Sequence, residues 1–182
     1  MNPKRTLLLL AMLVFSACQS GDPSSTDVSI RSDSLVWLSR IDSLEKVLAA
    51  DSLGLSPQTE PLDSLVATCL RFAETYPQDP FAPQTLWKAA RVLRTLGQAE
   101  GAVRCGKAIA DAYPSHPLAP IALYFNAVVL NEDMGVREAA VFYLDRLKEE
   151  YPKDSLVRDA ALYRETMVWS QEDWNQRLRG KK

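Results

Sequence analysis

A short phrase that begins with tyrosine and proline occurs three times in this chain. The copies begin at Tyr76, Tyr113 and Tyr151, so they lie 37 and then 38 residues apart. The first two read YPQDPFAP and YPSHPLAP, and the third, YPKDSLV, is fainter. A period in this range is typical of supersecondary units that stack on one another, because one unit cannot bury its apolar face alone. The repeat therefore predicts an array of similar units.

The segments between the phrases have the apolar periodicity of helices. In each unit apolar side chains recur every three or four residues on both sides of a glycine, Gly97 in one unit and Gly135 in the next. The proline after each tyrosine is expected to end a helix, and Pro80 and Pro117 suit the first turn of the next helix. These features predict an all-α fold, a short α-solenoid of seven or eight helices in antiparallel pairs.

The chain begins with the features of an export signal. Lys4 and Arg5 precede an apolar run that leads to small residues at Ser16 and Ala17. The run is too short for a membrane-spanning helix, which needs roughly 20 apolar residues. We therefore interpret residues 1–17 as a signal peptide.

The end of this signal resembles the cleavage box of bacterial lipoproteins. The box reads Phe15-Ser16-Ala17-Cys18, and in lipoproteins the signal peptidase cuts before a cysteine that already carries diacylglycerol. The resemblance implies that Cys18 is lipidated and anchors the mature protein to a membrane. An ordinary secreted protein is the alternative.

Two segments separate this cysteine from the repeats. Residues 18–32 are rich in Ser and Asp and have little to bury, so we expect a flexible tether that spans roughly 20 Å. Residues 33–56 contain an apolar stripe, which predicts an N-terminal amphipathic helix. The stripe suits a helix that caps the repeats or a coiled-coil seam, and about two and a half heptads are too few to demand the seam. Its members are Trp37, Ile41, Leu44 and Leu48.

The composition argues against catalysis and against nucleic-acid binding. The chain has one histidine and 7 scattered glycines, so it forms neither a multi-histidine metal site nor a phosphate-binding loop. No motif places a nucleophile beside a base. The net charge is −2, and loss of Lys4 and Arg5 with the signal makes it −4, whereas duplex nucleic acid requires a basic face. We therefore predict no enzymatic activity, metal, cofactor, small-molecule substrate or nucleic-acid partner.

The remaining cysteines, Cys69 and Cys105, fall inside helical patterns about one repeat apart. A disulfide between them is one possibility in an oxidising compartment. We favour two buried thiols, because free cysteine is among the most buried residue types.

The helix pairs resemble the tetratricopeptide repeat. Two successive units match its pattern of large and small residues, with Gly106 where the pattern has an aromatic residue. The matching positions are Leu86, Ala89, Ala90, Leu93, Ala102, Gly106 and Pro114, then Leu123, Asn126, Ala127, Leu130, Ala140, Leu144 and Pro152. We assign residues 57–170 to these repeats and residues 171–182 to a short C-terminal capping helix and basic tail.

With the cleavage box and the lengthened turns, the chain resembles two groups of bacterial envelope lipoproteins. One is the lipoprotein of the outer-membrane barrel-assembly machinery, and the other is the periplasmic Tol-Pal-associated coordinator of cell division. The resemblance implies a non-enzymatic scaffold, most simply at the outer membrane facing the periplasm, whose partners are other envelope or outer-membrane proteins. The alternative is an oligomeric structural spacer assembled through the N-terminal helix.

The resemblance also implies a binding surface, because the first helix of each pair lines a concave groove in such repeats. Trp, Tyr and Arg are the side chains most enriched at binding hot spots. The alternative is that Trp87 and Tyr124 pack between repeats, and that Arg91 and Arg94 are merely solvated. The inferred groove residues are Gln84, Trp87, Arg91, Arg94, Tyr124, Val128, Asn131 and Thr166.

Overall fold

In a computed structural model the chain is all-helical. The structure describes residues 23–51, 59–167 and 179, with side chains over 33–48, 60–167 and 179, and this part contains seven helices and no strand. The helices are α1 (Pro23–Asp51), α2 (Thr59–Thr75), α3 (Ala82–Thr95), α4 (Ala99–Ala112), α5 (Leu118–Glu132), α6 (Arg137–Glu150) and α7 (Leu156–Thr166). The predicted all-α fold is confirmed. The signal peptide 1–17, Cys18 and, apart from residue 179, the C-terminal helix and tail 171–182 lie outside the described residues.

The helices form a short α-solenoid, as predicted. Each helix packs against the next one along the chain, and α5 also contacts both α3 and α7. The backbones of the described even-numbered helices do not approach one another in this way, although side chains of α4 and α6 meet. The row of α3, α5 and α7 is therefore the more closely spaced row, which makes its exposed side the inner, concave face of the stack.

The repeated phrase forms the turns between units. In each turn the side chain three residues after the tyrosine accepts a hydrogen bond from the backbone N–H of the residue two positions after itself. Asp and Asn favour this local bond in turns. The bonds run from the N–H of Phe81 to Asp79 Oδ1 (2.9 Å), of Leu118 to His116 Nδ1 (3.1 Å) and of Leu156 to Asp154 Oδ1 (2.9 Å). His116 thus replaces an aspartate with an imidazole nitrogen that accepts the same bond.

The tyrosines of the phrase connect successive turns. The hydroxyl of Tyr113 donates to the carbonyl of Pro77 (2.9 Å), and the hydroxyl of Tyr151 donates to the carbonyl of Pro114 (2.8 Å). Burial raises the pKa of both tyrosines. Proline has no N–H but keeps its carbonyl, so a Tyr-Pro pair supplies both partners of a bond that repeats with the period of the solenoid.

The prolines later in the phrase differ from the prediction. Pro80 and Pro117 lie in the turns that precede α3 and α5, and not in the first turns of those helices. The hydrogen-bonded turn includes them and delays the start of each helix. Pro83 and Pro120 occupy the first turns instead, where a missing N–H costs nothing.

Both predicted glycine breaks are confirmed. Gly97 and Gly135 have φ values of 72° and 69°, which an L side chain rarely adopts. After α3 the N–H of Gly97 bonds to the carbonyl of Arg94 (3.0 Å), and the N–H of Gln98 bonds to the carbonyl of Leu93 (2.8 Å). This is the Schellman arrangement that ends helices.

Helix α1 begins earlier than predicted, and its apolar stripe packs on the repeats. The flexible tether over 18–32 is wrong for residues 23–32, which are helical, because Pro23 suits a helix start and neither Gly nor Pro follows before Gly54. The helix has 29 residues and a length of about 43 Å. Its apolar stripe packs on the chain's own core, where Ile41 is 2% exposed. The stripe is therefore used as a cap on the repeats.

A buried asparagine explains the unusual glycine of α4. Asn126 is fully buried on α5, and its Nδ2 donates to the carbonyl of Val103 (3.1 Å). A Cβ atom at Gly106 would lie 2.8 Å from Asn126 Cγ and 3.0 Å from its Nδ2. The aromatic residue of the tetratricopeptide pattern has no room at this position, because the asparagine occupies it.

Ion pairs join α4 and α6, which belong to the outer row of the stack, the row of even-numbered helices. Arg146 on α6 donates to Asp111 on α4 (3.0 Å) and to Glu150 on its own helix (2.7 Å), and Lys107 also pairs with Asp111. The hydrogen bond from Lys107, and then that from Arg146, lowers the pKa of Asp111.

Candidate binding surface

The inner face of the stack contains an open cavity lined by residues of α1, α2, α3 and α5. Its volume is about 410 Å³, and we call it the inner groove. Three cationic side chains of α3 follow one another at intervals of three residues along it, beside the ring of Phe125 from α5. The lining residues are Glu45, Leu65, Lys88, Arg91, Val92, Arg94, Thr95 and Phe125.

Trp87 and Tyr124 contribute to packing between units. Trp87 lies edge-on to Phe125, with ring centroids 5.1 Å apart and a 73° interplanar angle. Tyr124 meets Tyr163 of α7 in the same way, at 5.9 Å and 61°. Both predicted residues are only half-buried, but the edge-to-face geometry is that of stable aromatic pairs. For these two rings the alternative of packing between repeats describes the structure.

Arg94 joins two units. Its guanidinium donates to Asp133 (2.7 Å) and Glu132 (3.0 Å) at the end of α5, and it lies over the ring of Phe125 at 5.8 Å. The hydrogen bond to Asp133 raises the pKa of Arg94. Arg94 is therefore occupied by its own chain and is not merely solvated.

Three further predicted residues make polar contacts near the ends of the face. The amide of Gln84 lies 3.3 Å from Nε2 of His116. Asn131 donates to the hydroxyl of Tyr163 (3.1 Å), and Thr166 donates to the carbonyl of Tyr163 (2.7 Å). Asn131 and Thr166 thus lie at the junction of α5 and α7, away from the inner groove.

Arg91 is the predicted residue that is available for a ligand. It is exposed, and it forms no ion pair within the part of the chain that the structure describes. Val128, half-buried on α5, occupies the equivalent position 37 residues later. Arg91 and Arg94 thus line the inner groove together with Phe125, whose ring contacts Trp87. Tyr124 instead packs on Tyr163, at the junction with α7.

Sequence reasoning missed Lys88 and Phe125 as groove residues. Lys88 donates to Glu45 of α1 across 2.6 Å, a contact between helices that no local pattern reveals. A signal was nevertheless present, since Lys88, Phe125 and Tyr163 occupy the same position of three successive units, 37 and 38 residues apart. An alignment of the three copies on their tyrosines identifies them.

The described residues offer little reactive chemistry. Cys69 and Cys105 are both free and buried, as predicted, with exposures of 0% and 5%. Burial raises the pKa of Cys69 to about 12 and that of Cys105 to about 11, so neither is a thiolate at neutral pH. Within the same described ranges no group of His, Cys, Asp and Glu side chains is arranged to hold a metal ion.

Comparison with known proteins leaves the family open. No protein-family model matches the chain, and no curated protein matches it. Among the described helices, none combines the length and the apolar content needed to cross a membrane.

Proposed function

We propose that this chain is a non-enzymatic, membrane-anchored interaction scaffold of the bacterial cell envelope, and that it is a tetratricopeptide-repeat lipoprotein. The observation that carries the proposal is the inner groove, where exposed Arg91 lies beside the aromatic ring of Phe125 on a firmly packed stack of helices. A partner segment binds in this groove. The repeated turns, with their Tyr-Pro hydrogen bonds, support the family assignment because they give each unit the same geometry.

The membrane anchor is the lipid on Cys18, and the expected location is the outer membrane facing the periplasm. The support is the order of charged, apolar and small residues before Cys18. Anchoring raises the local concentration of the groove for partners in the same envelope. Other envelope and outer-membrane proteins are therefore the partners that we propose.

Site-specific photo-crosslinking in cells tests the groove. A photoreactive amino acid replaces Thr95, an exposed residue of the inner groove, and in a matched strain it replaces Glu74, an exposed residue of α2. We expect the Thr95 probe to trap a discrete envelope protein that the Glu74 probe does not trap. Equal trapping from both positions, or none from Thr95, contradicts a groove-based scaffold.

The anchor is tested by metabolic labelling with a fatty acid. We expect Cys18→Ser to abolish the label and to release the protein from the membrane fraction. A variant that remains membrane-bound without the label contradicts lipidation at Cys18.

One observation favours the oligomeric spacer as a second candidate. Leu35, Val36 and Val47 on α1 are 61%, 67% and 55% exposed, although the main stripe of α1 is packed inward. Val36 and Val47 lie 11 residues apart and so share a face of the helix. Sedimentation of the purified chain decides this candidate, since a strict monomer at high concentration removes it.

A further inference from the structure

The inner groove carries a charge that its own chain leaves unpaired. Lys88 pairs with Glu45, and Arg94 pairs with both Asp133 and Glu132. Among the described residues, each carboxylate that pairs with a cation of α3 in the groove is thus held by Lys88 or by Arg94. Arg91, midway between Lys88 and Arg94, is left as the one groove cation with no ion pair among the described residues.

We propose that the groove binds an extended peptide segment whose Asp or Glu side chain pairs with Arg91 while a neighbouring apolar side chain packs beside Phe125. This inference rests on the proposed function and names the chemistry of its partner. A guanidinium presents a planar fork that matches a carboxylate in two parallel hydrogen bonds. Leu65, Val92 and Phe125 supply the apolar part of the lining.

The charge count selects a carboxylate over a phosphate. A phosphate group carries about −1.5 to −2 charges and is usually held by several cations. In the inner groove Lys88 and Arg94 are already neutralised by acidic side chains. A single unpaired cation matches a single carboxylate.

The neighbours of Arg91 also favour an acidic partner. Lys88 and Arg94 lie one helical turn to either side of it on the same face of α3. Glu45, Asp133 and Glu132 hold these two cations, so neither of them competes with Arg91 for a carboxylate of the partner. Charges on this open surface act over about 8 Å at physiological salt, so the net negative charge of the whole chain, −2, does not cancel the local preference.

A peptide-library selection on the purified full chain provides the test. Random peptides with amidated C-termini are selected on the wild-type protein, on Arg91→Glu and on Arg71→Glu, the last being the same charge reversal at an exposed residue of α2. We expect the wild type and Arg71→Glu to enrich peptides with an acidic residue near an apolar one. We expect Arg91→Glu to lose them and to enrich basic residues.

Affinities of the selected peptides sharpen the result. Arg91→Glu is expected to raise the Kd of an acidic peptide by about tenfold, which corresponds to about 1.4 kcal/mol, and replacing the peptide's carboxylate by Lys is expected to restore binding to this variant. The affinity for the wild type is expected to fall as salt rises. Peptides with no acidic preference, or a Kd that Arg91→Glu leaves unchanged, overturn the inference.

A blocking variant separates the two proposals. Thr95→Trp places a large side chain at the exposed rim of the inner groove. Peptides that no longer bind Thr95→Trp but bind Arg91→Glu as tightly as wild type contradict the acidic partner and leave the groove function intact. A selection that yields no peptide sensitive to Thr95→Trp overturns both.

Discussion

Replacing Gly106 by alanine tests how the helices of neighbouring units fit together. The new Cβ would lie 2.8 Å from Asn126 Cγ and 3.0 Å from its Nδ2, whereas ordinary contacts begin near 3.4 Å. Asn126 is fully buried and its Oδ1 lies closest to the new Cβ, so its side chain has to shift by more than about 1 Å within a close-packed interior. The hydrogen bond from Asn126 to the carbonyl of Val103 is lost or strained by that shift.

Two opposing effects determine the size of the change. Overpacking typically costs about 1–3 kcal/mol, and loss of the buried hydrogen bond adds about 1 kcal/mol. Against these losses, alanine in place of glycine in a helix interior stabilises the folded state by about 0.5–1 kcal/mol. We therefore expect Gly106→Ala to lower the free energy of unfolding by about 2 kcal/mol.

The decisive comparison is the same substitution without the asparagine. In an Asn126→Ala background the obstacle is absent, so only the helix propensity remains, and Gly106→Ala is expected to raise the free energy of unfolding by about 0.5–1 kcal/mol. The coupling energy between the two positions is then about 3 kcal/mol, within the range seen for residues in contact.

Urea denaturation followed by circular dichroism measures all four proteins. Gly101→Ala is the control, because its Cβ meets the ends of two flexible side chains, Leu93 at 3.3 Å and Arg104 at 3.7 Å. Its effect is expected to stay within about 1 kcal/mol. A neutral or stabilising effect of Gly106→Ala in the presence of Asn126 would refute the packing argument.

Two further predictions concern the turns and the outer row. His116→Asp keeps an acceptor for the N–H of Leu118, as in the neighbouring turns. Its free energy of unfolding, measured in urea, is expected to lie within about 0.5 kcal/mol of wild type, whereas that of His116→Ala is expected to be about 1 kcal/mol lower. Equal losses in the two variants contradict the acceptor role. The pKa of Asp111 is lowered in the folded state, so its ion pairs stabilise the protein above the unfolded pKa, and this contribution disappears as pH falls through the folded pKa. We expect Asp111→Asn to be less stable than wild type at pH 7 by less than about 1 kcal/mol, because the ion pairs are exposed. The difference is expected to vanish when stability is measured at progressively lower pH. A difference that grows in acid contradicts the stabilising role of these ion pairs.

Much of the fold could be predicted because its signals are local. Proline and glycine act on their own backbone angles, so Gly97 and Gly135 identified the breaks within each helix pair before any contact was known. Apolar side chains at intervals of three and four residues likewise identified the helices and most of their buried faces. The start of α1 was missed, since the Ser-rich composition of residues 23–32 suggested a tether although nothing in it breaks a helix.

The candidate site was only partly predictable. Position in the repeat suggested Arg91 as a groove residue, and the structure has it exposed among the residues that line the inner groove. It did not show that Trp87 packs on Phe125, or that Arg94 pairs with Glu132 and Asp133, because these partners come from the next unit. Lys88 was overlooked for the same reason, as its partner Glu45 lies on a helix that precedes the matched repeats.

By itself, the sequence determined the period of the array, its turns and its helices, since each depends on backbone preferences within a few residues. It also supplied the Tyr-Pro pair, although the bond from Tyr113 to Pro77 is visible only once the turns are stacked. Tertiary structure decided which charges of the inner groove are neutralised and that Arg91 is not. The ion pairs of the inner groove join different helices, so they form only where packing brings opposite charges within a few ångströms, and that spacing is a property of the packed solenoid.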